Sequence, residues 1–393
     1  MNDILFDMAG PDDYDDILDF IDFVFSQASG PHDFVALLPK LYKREYFMDG
    51  IHYLARKEKK IKAVVGAFPL RIDFSGGISV YGRGIGTVSV HPRARSKGYM
   101  KTLMSMAHED MKKDGMAFSC LGGQRQRYEY FGYTPTGTNY YFNVSKANIR
   151  HTLGKDWKTG LRLMPVTSAH KETLDNIHAM HESKVVRFYR NRDKFFDILS
   201  SWNSKTFAIL DGEEFEGYLV CKPGSYDVAE INIKNISRVN EALGIYLRYL
   251  NEHRGQDSVQ VVAGPQDIEK IRNLSRFSES YRQVAAYQFN IFDFKVFVEP
   301  FLKFRAKQRT IADGSFVLKI EGEPGTTLEI SVRQGIPEIK ESASAPDLIL
   351  NHLEAIQFFF APTAALTISA IGERVFLQSL LPLPLFLENL DGV

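Results

Sequence analysis

The chain has 393 residues, 44% hydrophobic, 24% charged and 12% aromatic, which is too long for one ordinary core and too apolar for a disordered protein. Lys plus Arg and Asp plus Glu both total 48, so no overall field is available to hold nucleic acid or an anionic membrane, and neither is expected as a partner. The only cysteines, Cys120 and Cys221, lie far apart in apolar runs and read as buried thiols, with no metal framework, as suits a reducing cytoplasm. Met1 is followed by acidic residues rather than a basic and apolar leader, which argues against a secretory signal. The apolar stretch 355–387 is broken by Gln357, Pro362, Glu373, Arg374, Gln378, Pro382 and Pro384, so it is expected to be core rather than a membrane span.

Residues 12–25 place Ile17, Phe20, Ile21, Val24 and Phe25 at helical spacing, with Asp15, Asp16, Asp19 and Asp22 on the other faces. These carboxylates suit the positive end of a helix dipole, and Asp22 is a secondary candidate for holding a cationic substrate. Runs 51–56 and 62–68 predict a hairpin, and 74–81 and 84–91 predict two further strands. A helix follows, with Met100, Leu103, Met104, Ala107 and Met111 on one stripe and Gly115 at its end. Residues 117–121 predict a buried strand that leads to Gly122-Gly123 and a short helix with Arg125, Arg127 and Tyr128, after which 131–135 turns back. This order is α+β with a mixed, mostly antiparallel sheet and helices on both faces.

From about residue 160 the pattern partly repeats: a helical stretch to Ser200, a hairpin at 207–221, a strand at 228–233, a helix at 238–254 and a strand at 259–263. A third unit is expected from about residue 290, with strands at 314–320 and 327–332 and an apolar tail. The expected domains are 1–150, 151–289 and 290–393.

The segment Thr87-Val-Ser-Val-His-Pro-Arg-Ala-Arg-Ser-Lys-Gly-Tyr-Met100 runs from a strand into a helix through a basic loop. A strand that stops here leaves the Val88 and Val90 peptides free to pair with an amide-containing arm. The following helix aims its unpaired N–H groups at a diphosphate, and Gly98 lets that backbone come close. Arg93, Arg95, Lys97 and Lys101 could be merely solvated charges, but their clustering at a helix start favours an anionic ligand.

Arg95-x-x-Gly98-x-Met100 resembles the Arg/Gln-x-x-Gly-x-Gly/Ala loop of the GNAT superfamily of N-acetyltransferases, with Met100 in place of the final small residue. Arg127-Tyr-Glu-Tyr-Phe-Gly-Tyr-Thr-Pro135 is similar to the Tyr-x-x-Phe-Gly-Tyr-x-Pro element of the Eis (enhanced intracellular survival) family. That resemblance implies two tandem GNAT-like domains, the second degenerate, and a C-terminal sterol-carrier-protein-like α+β domain. The second copy carries Asn235-Ile-Ser-Arg-Val239 where the loop should be, so it is expected to bind no cofactor and to close one wall of the substrate cavity. The implied reaction is transfer of acetyl from acetyl-CoA to a primary amine, most simply of an aminoglycoside-type polyamine. Protein lysine and simple polyamines are the alternative acceptors.

The implied donor-binding residues are Val88, Ser89, Val90, Arg95, Ser96, Lys97, Gly98, Tyr99, Met100, Lys101, Gly123 and Gln124. The Val90 N–H would polarise the thioester carbonyl. Tyr128 matches the family's general acid, although it sits beside Tyr130 and Tyr133 and aromatic packing would also account for it. The family's base is its terminal carboxylate, here that of Val393, behind an apolar 383–390 segment that is expected to dock. The Gln27-Ala-Ser-Gly30 segment lacks the acid that aminoglycoside-acetylating relatives can carry, and the penultimate residue is Gly392, which leaves Asp22, Asp33 and Asp391 as substitutes. A small-molecule amine and self-association, as a homohexamer, are the implied partners. A reading of another class is a lipid or small-molecule carrier, with Phe358, Phe359, Phe360 and Leu366 lining a tunnel; core packing is the favoured account of these residues.

Overall fold

The computed structural model describes residues 4–322 and 325–393. The chain is α+β and divides into two compact units: residues 1–137, 287–383 and 392–393 form one, and 138–286 with 384–391 form the other.

The first unit opens with β1 (Leu5–Met8), α1 (Tyr14–Ser29), α2 (Phe34–Leu37) and α3 (Pro39–Tyr42). Ile17 and Ile21 are fully buried on α1, while Asp15, Asp16 and Phe23 face solvent, so the amphipathic reading of this segment holds. The hairpin strands β2 (Ile51–Lys57) and β3 (Lys60–Phe74) follow, then β4 (Ile78–Val90). Segments 74–81 and 84–91, which the sequence presents as two strands, are corrected to one: Phe74 ends β3, and β4 runs unbroken through Gly82, Gly84 and Gly86. Glycine lowers strand propensity, but the antiparallel ladder to β3, from Phe74↔Ile78 to Ala63↔Val90, holds the segment together.

Next come α4 (Tyr99–Lys113), β5 (Phe118–Leu121), α5 (Arg125–Tyr128) and β6 (Thr134–Thr136). Leu103, Met104, Ala107 and Met111 are fully buried, as the α4 stripe predicts, and Gly115 takes φ +69° just beyond the helix. The sheet order is β1-β2-β3-β4-β5, then strand Tyr287–Ile291, then β6. The distant strand pairs antiparallel with β5, at Gln288↔Leu121 to Ile291↔Phe118, and with β6 on its other side.

A separate sheet in the same unit contains strands Gly314–Ile320, Thr326–Arg333, Ile336–Glu341 and Leu348–Leu350. Phe358, Phe359 and Phe360 are fully buried, as core packing requires. Leu366 is 87% exposed and is corrected out of that cluster, because it sits on a four-residue helical turn whose Ala364 alone faces inward.

The second unit has its own sheet, in which Asn139–Ser145 pairs with Ser258–Ala263 and Ser280–Val284. Lys205–Asp211, Glu214–Cys221 and Val228–Ile233 are antiparallel neighbours, packed with helix Val239–Arg254. The stretch from 160 to Ser200 is less helical than its sequence suggests. Leu161–Pro165 is a strand added beside Lys205–Asp211, and helices begin only at Lys171 and Phe195. No helix among the described residues is long and apolar enough to cross a membrane.

Candidate active site

β4 and β5 are parallel neighbours only at Gly82↔Phe118, Arg83↔Ser119 and Gly84↔Cys120. Beyond Gly84, β4 continues for six residues along β3 with no recorded β5 partner, so the Val88 and Val90 end of the strand borders a gap in the sheet. A register shift between Val64 and Gly66 bulges this part of β4, and Thr87 takes φ +48°. A non-glycine residue held left-handed costs of order 1–2 kcal/mol and persists only where its surroundings enforce it. Here the Tyr42 hydroxyl donates to Thr87 Oγ1 at 2.8 Å, and Ser89 Oγ donates to the Thr87 carbonyl at 3.0 Å.

The basic loop follows at once. His91 Nδ1 accepts the Arg93 N–H at 3.2 Å and closes a turn over 92–94. Ser96 takes φ +63° and Gly98 φ +78°, and Gly98 is the residue at which α4 starts. No side chain caps that helix, so its first N–H groups remain directed out of its end. Arg93, Arg95, Lys97 and Lys101 are all exposed around this end, and Lys101 Nζ lies 4.8 Å from the centre of the Tyr130 ring.

A cavity of about 670 Å³ opens here. Of the residues singled out in the sequence it gathers Val88, Ser89, Val90, Arg95, Ser96, Lys97, Gly98, Tyr99, Met100, Lys101 and Gln124 along its wall. Gly123, Tyr128 and Val393 are not on that wall; the Gly123 carbonyl accepts from Gln288 Nε2 at 2.8 Å, and a Cβ there would lie 2.8 Å from the Tyr128 ring. Val24, Phe25 and Ala28 of α1, together with Ala94, Arg127 and Phe131, complete the lining and were not anticipated. Val24 and Phe25 were read only as core, since nothing in a helical stripe says which of its members border a cavity, whereas Ala28 falls in the Gln27-Ala-Ser-Gly30 segment compared with the relatives' acceptor pocket.

Tyr128 is 7% exposed, stands T-shaped to Tyr133 at 6.4 Å and packs with the core of the unit. Burial pushes its phenol above the usual range against the pull of Arg127, so the hydroxyl keeps its proton at neutral pH. Tyr133 is wholly buried and committed to structure, its hydroxyl meeting Ser119 Oγ at 2.8 Å and His108 Nε2 at 2.9 Å.

Val393 lies against β4. A Cβ on Gly84 would fall 2.6 Å from Val393 Cγ2, and one on Gly86 would fall 3.4 Å from the Val393 carboxyl carbon. Lys40 Nζ donates to the Gly392 carbonyl at 2.6 Å, and the Tyr287 hydroxyl lies beside the main chain of Gly122 and Val393. Lys40, Tyr42, Thr87 and Tyr287 escaped the sequence reading. The alternation Gly82-x-Gly84-x-Gly86, three glycines on one strand face, was the available signal that something must approach β4 closely.

The carboxylates considered for a cationic substrate are engaged in structure. Asp22 accepts the Phe34 N–H at 3.0 Å, with burial pushing its carboxyl up, and Asp33 caps α2 through the Ala36 N–H at 2.9 Å. Asp391, in the second unit, bonds the fully buried Arg190 at 2.8 and 3.2 Å. Arg190 also holds Glu230 and Glu388, and Lys184 bridges the same two glutamates at 2.8 and 2.6 Å. His181, Glu230 and Glu388 present donor atoms within 4.8 Å of one another, a metal-type set, but both carboxylates are already neutralised by these two cations. Cys120 and Cys221 are free, buried thiols.

The strand opening and the uncapped, basic helix start lie within residues 6–136, which match the family described as acetyltransferase (GNAT) domain. The chain is therefore an acetyltransferase by class. Its fold as a whole is shared with a conserved protein of unknown function from Enterococcus faecalis V583, at 17% identity and a TM-score of 0.67 over 98% of this chain and 97% of that one. It is shared too with a GCN5-related N-acetyltransferase from Kribbella flavida, at 16% identity and a TM-score of 0.67 over 97% and 95% of the two chains. Eis1 from Mycobacterium abscessus aligns at 12% identity and a TM-score of 0.61, covering 96% of this chain and 97% of its own. No curated protein matches the sequence.

Proposed function

We propose that this protein is an Eis-like N-acetyltransferase that moves the acetyl group of acetyl-CoA onto a primary amine, with aminoglycoside-type polyamines as the acceptor class. The observation that carries the reading is the free end of β4 at Val88 and Val90, set directly beside the uncapped start of α4. Those two features suit the two recurrent chemistries of CoA, an amide-bearing arm that adds to a strand edge and a diphosphate that takes helix N–H groups.

In this reading acetyl-CoA supplies the thioester, and Arg95, Ser96, Lys97, Gly98, Tyr99, Met100 and Lys101 hold its diphosphate, with Gln124 bordering the arm. Val88 and Ser89 align the arm and the Val90 N–H polarises the carbonyl. Tyr128 donates its proton to the departing thiolate, for which a phenol kept neutral by burial is suited. The Val393 carboxylate takes the proton of the attacking amine. The organisation that accompanies this assignment is a catalytic domain at 1–150, a degenerate copy at 151–289 and a sterol-carrier-like domain at 290–393, assembled as a homohexamer in the cytoplasm.

The acceptor is tested by following acetyl-CoA-dependent release of free CoA thiol with aminoglycosides, linear polyamines and lysine peptides in parallel. Turnover with aminoglycosides above the other two supports the proposal. Turnover with lysine peptides alone moves the assignment to protein acetylation, and absence of amine-dependent release with all three overturns the enzymatic reading of this site.

A further inference from the structure

We propose that Lys40 is a positioning residue, and that with Tyr287 and the glycine face of β4 it forms a latch that seats the last two residues, Gly392 and Val393, in the site; this rests on the reading of Val393 as the base.

Lys40 is 5% exposed, although lysine is rarely buried at all without a compensating purpose. Its ammonium donates to a main-chain carbonyl of the tail, that of Gly392, 352 residues away in sequence. Covalent geometry then keeps the ammonium within roughly 7 Å of the Val393 carboxyl carbon. The charge therefore does two things at once. It fixes the final peptide in one orientation through a charge-assisted hydrogen bond, and it places a positive charge near the terminal carboxylate.

The other parts of the latch act on neighbouring atoms. Tyr287 comes from the strand inserted between β5 and β6, and its hydroxyl is set beside the main chain of Val393 and that of Gly122, which follows β5. Gly84 and Gly86 sit on one face of β4, where the absence of two Cβ atoms makes room for the Val393 side chain and carboxyl carbon. Three elements remote in sequence, α3, β4 and strand Tyr287–Ile291, thus converge on two residues. A base must stand within hydrogen-bond reach of the proton it takes, and a flexible terminus would meet that requirement only a fraction of the time.

The latch assigns Lys40 no contact with the reacting atoms. Its loss should therefore reduce kcat while the affinity for acetyl-CoA, held by the loop and α4, is unchanged. Lys40→Met keeps the length of the stem and removes the charge, whereas Lys40→Arg keeps a donor that can reach a carbonyl.

The test uses the full chain with Lys40→Met, Lys40→Arg, deletion of Val393, and Lys40→Met combined with that deletion. Acetyl-CoA binding and thermal melting are recorded for each, and Tyr287→Phe serves as a second latch variant should Lys40→Met fail to fold. The expected result is at least a tenfold loss of kcat in Lys40→Met at unaltered acetyl-CoA affinity, partial recovery in Lys40→Arg, and a double variant no slower than the Val393 deletion alone, because Lys40 acts only through that residue. If deleting Val393 abolishes turnover while Lys40→Met and Tyr287→Phe turn over normally, the latch is overturned and the terminal base stands. If deleting Val393 leaves turnover unchanged, it is the terminal-base reading itself that fails.

Discussion

Gly84 is a position where one added atom should matter more than its burial suggests. A Cβ 2.6 Å from Val393 Cγ2 cannot be accommodated unless the terminal residue moves off β4. Gly84→Ala should therefore lower kcat by about tenfold or more while acetyl-CoA binding stays within about twofold, read from steady-state kinetics and equilibrium binding; equal loss of both would place the damage in the sheet instead. Tyr128 poses the complementary question, because its ring belongs to the core and its hydroxyl to the proposed chemistry. Phenylalanine preserves the packing, so Tyr128→Phe should keep the melting temperature and lose about a hundredfold in kcat, and near-normal turnover would make the residue structural. Position and residue type drew attention to Tyr128 and the 88–101 loop from the sequence. Lys40 and Tyr287 lacked any local signal, because a single lysine or tyrosine takes on meaning only from what the chain folds against it.

At the scale of elements, α4 and its preceding loop were legible because their pattern is local. Four inward residues at helical spacing, a basic turn and a left-handed glycine lie within one short segment and depend on nothing distant. Gly98 carries a specific consequence: at φ +78° an alanine would cost about 1 kcal/mol and tilt the first turn of the helix. Gly98→Ala should raise the KM for acetyl-CoA several-fold, by about threefold to tenfold, with kcat at saturation little changed, and initial-rate measurements over a range of donor concentration check this. The β4 strand was harder to read, since its glycines look like a break. Its continuity comes from the ladder with β3, and the same glycines that weaken its propensity make it a seat for another part of the chain.

Across the whole molecule, the buried ionic cluster of the second unit governs how stability should vary with pH. The Glu388 carboxyl is pushed up to about 7, chiefly by burial and then by the charge of Glu230. A carboxyl raised in the fold contributes stability that is complete below the ordinary glutamate value of 4.5 and is lost as pH rises through about 7. Glu230 is held well below its ordinary value despite burial, by Arg190 and Lys184, so it does not titrate over that window. Glu388→Gln should therefore gain on the wild type as pH rises from about 5 to about 8, with the difference in melting temperature between the two as the measurement. His181, 3.9 Å from Glu388, is kept neutral, chiefly by burial.

The amino-acid sequence alone determined the α+β class, the order of nearly all the elements around residues 88–101, the buried state of both cysteines and the basic, glycine-bearing turn that starts α4. Each of these follows from short-range periodicity, turn residues and charge spacing, which are properties of neighbours along the chain. Only the tertiary structure decided that strand Tyr287–Ile291 stands between β5 and β6, that Asp391 is spent on Arg190, and that Lys40 holds Gly392. Those arrangements join residues more than a hundred positions apart, and no local pattern encodes a pairing whose energy exists only once the chain has closed on itself.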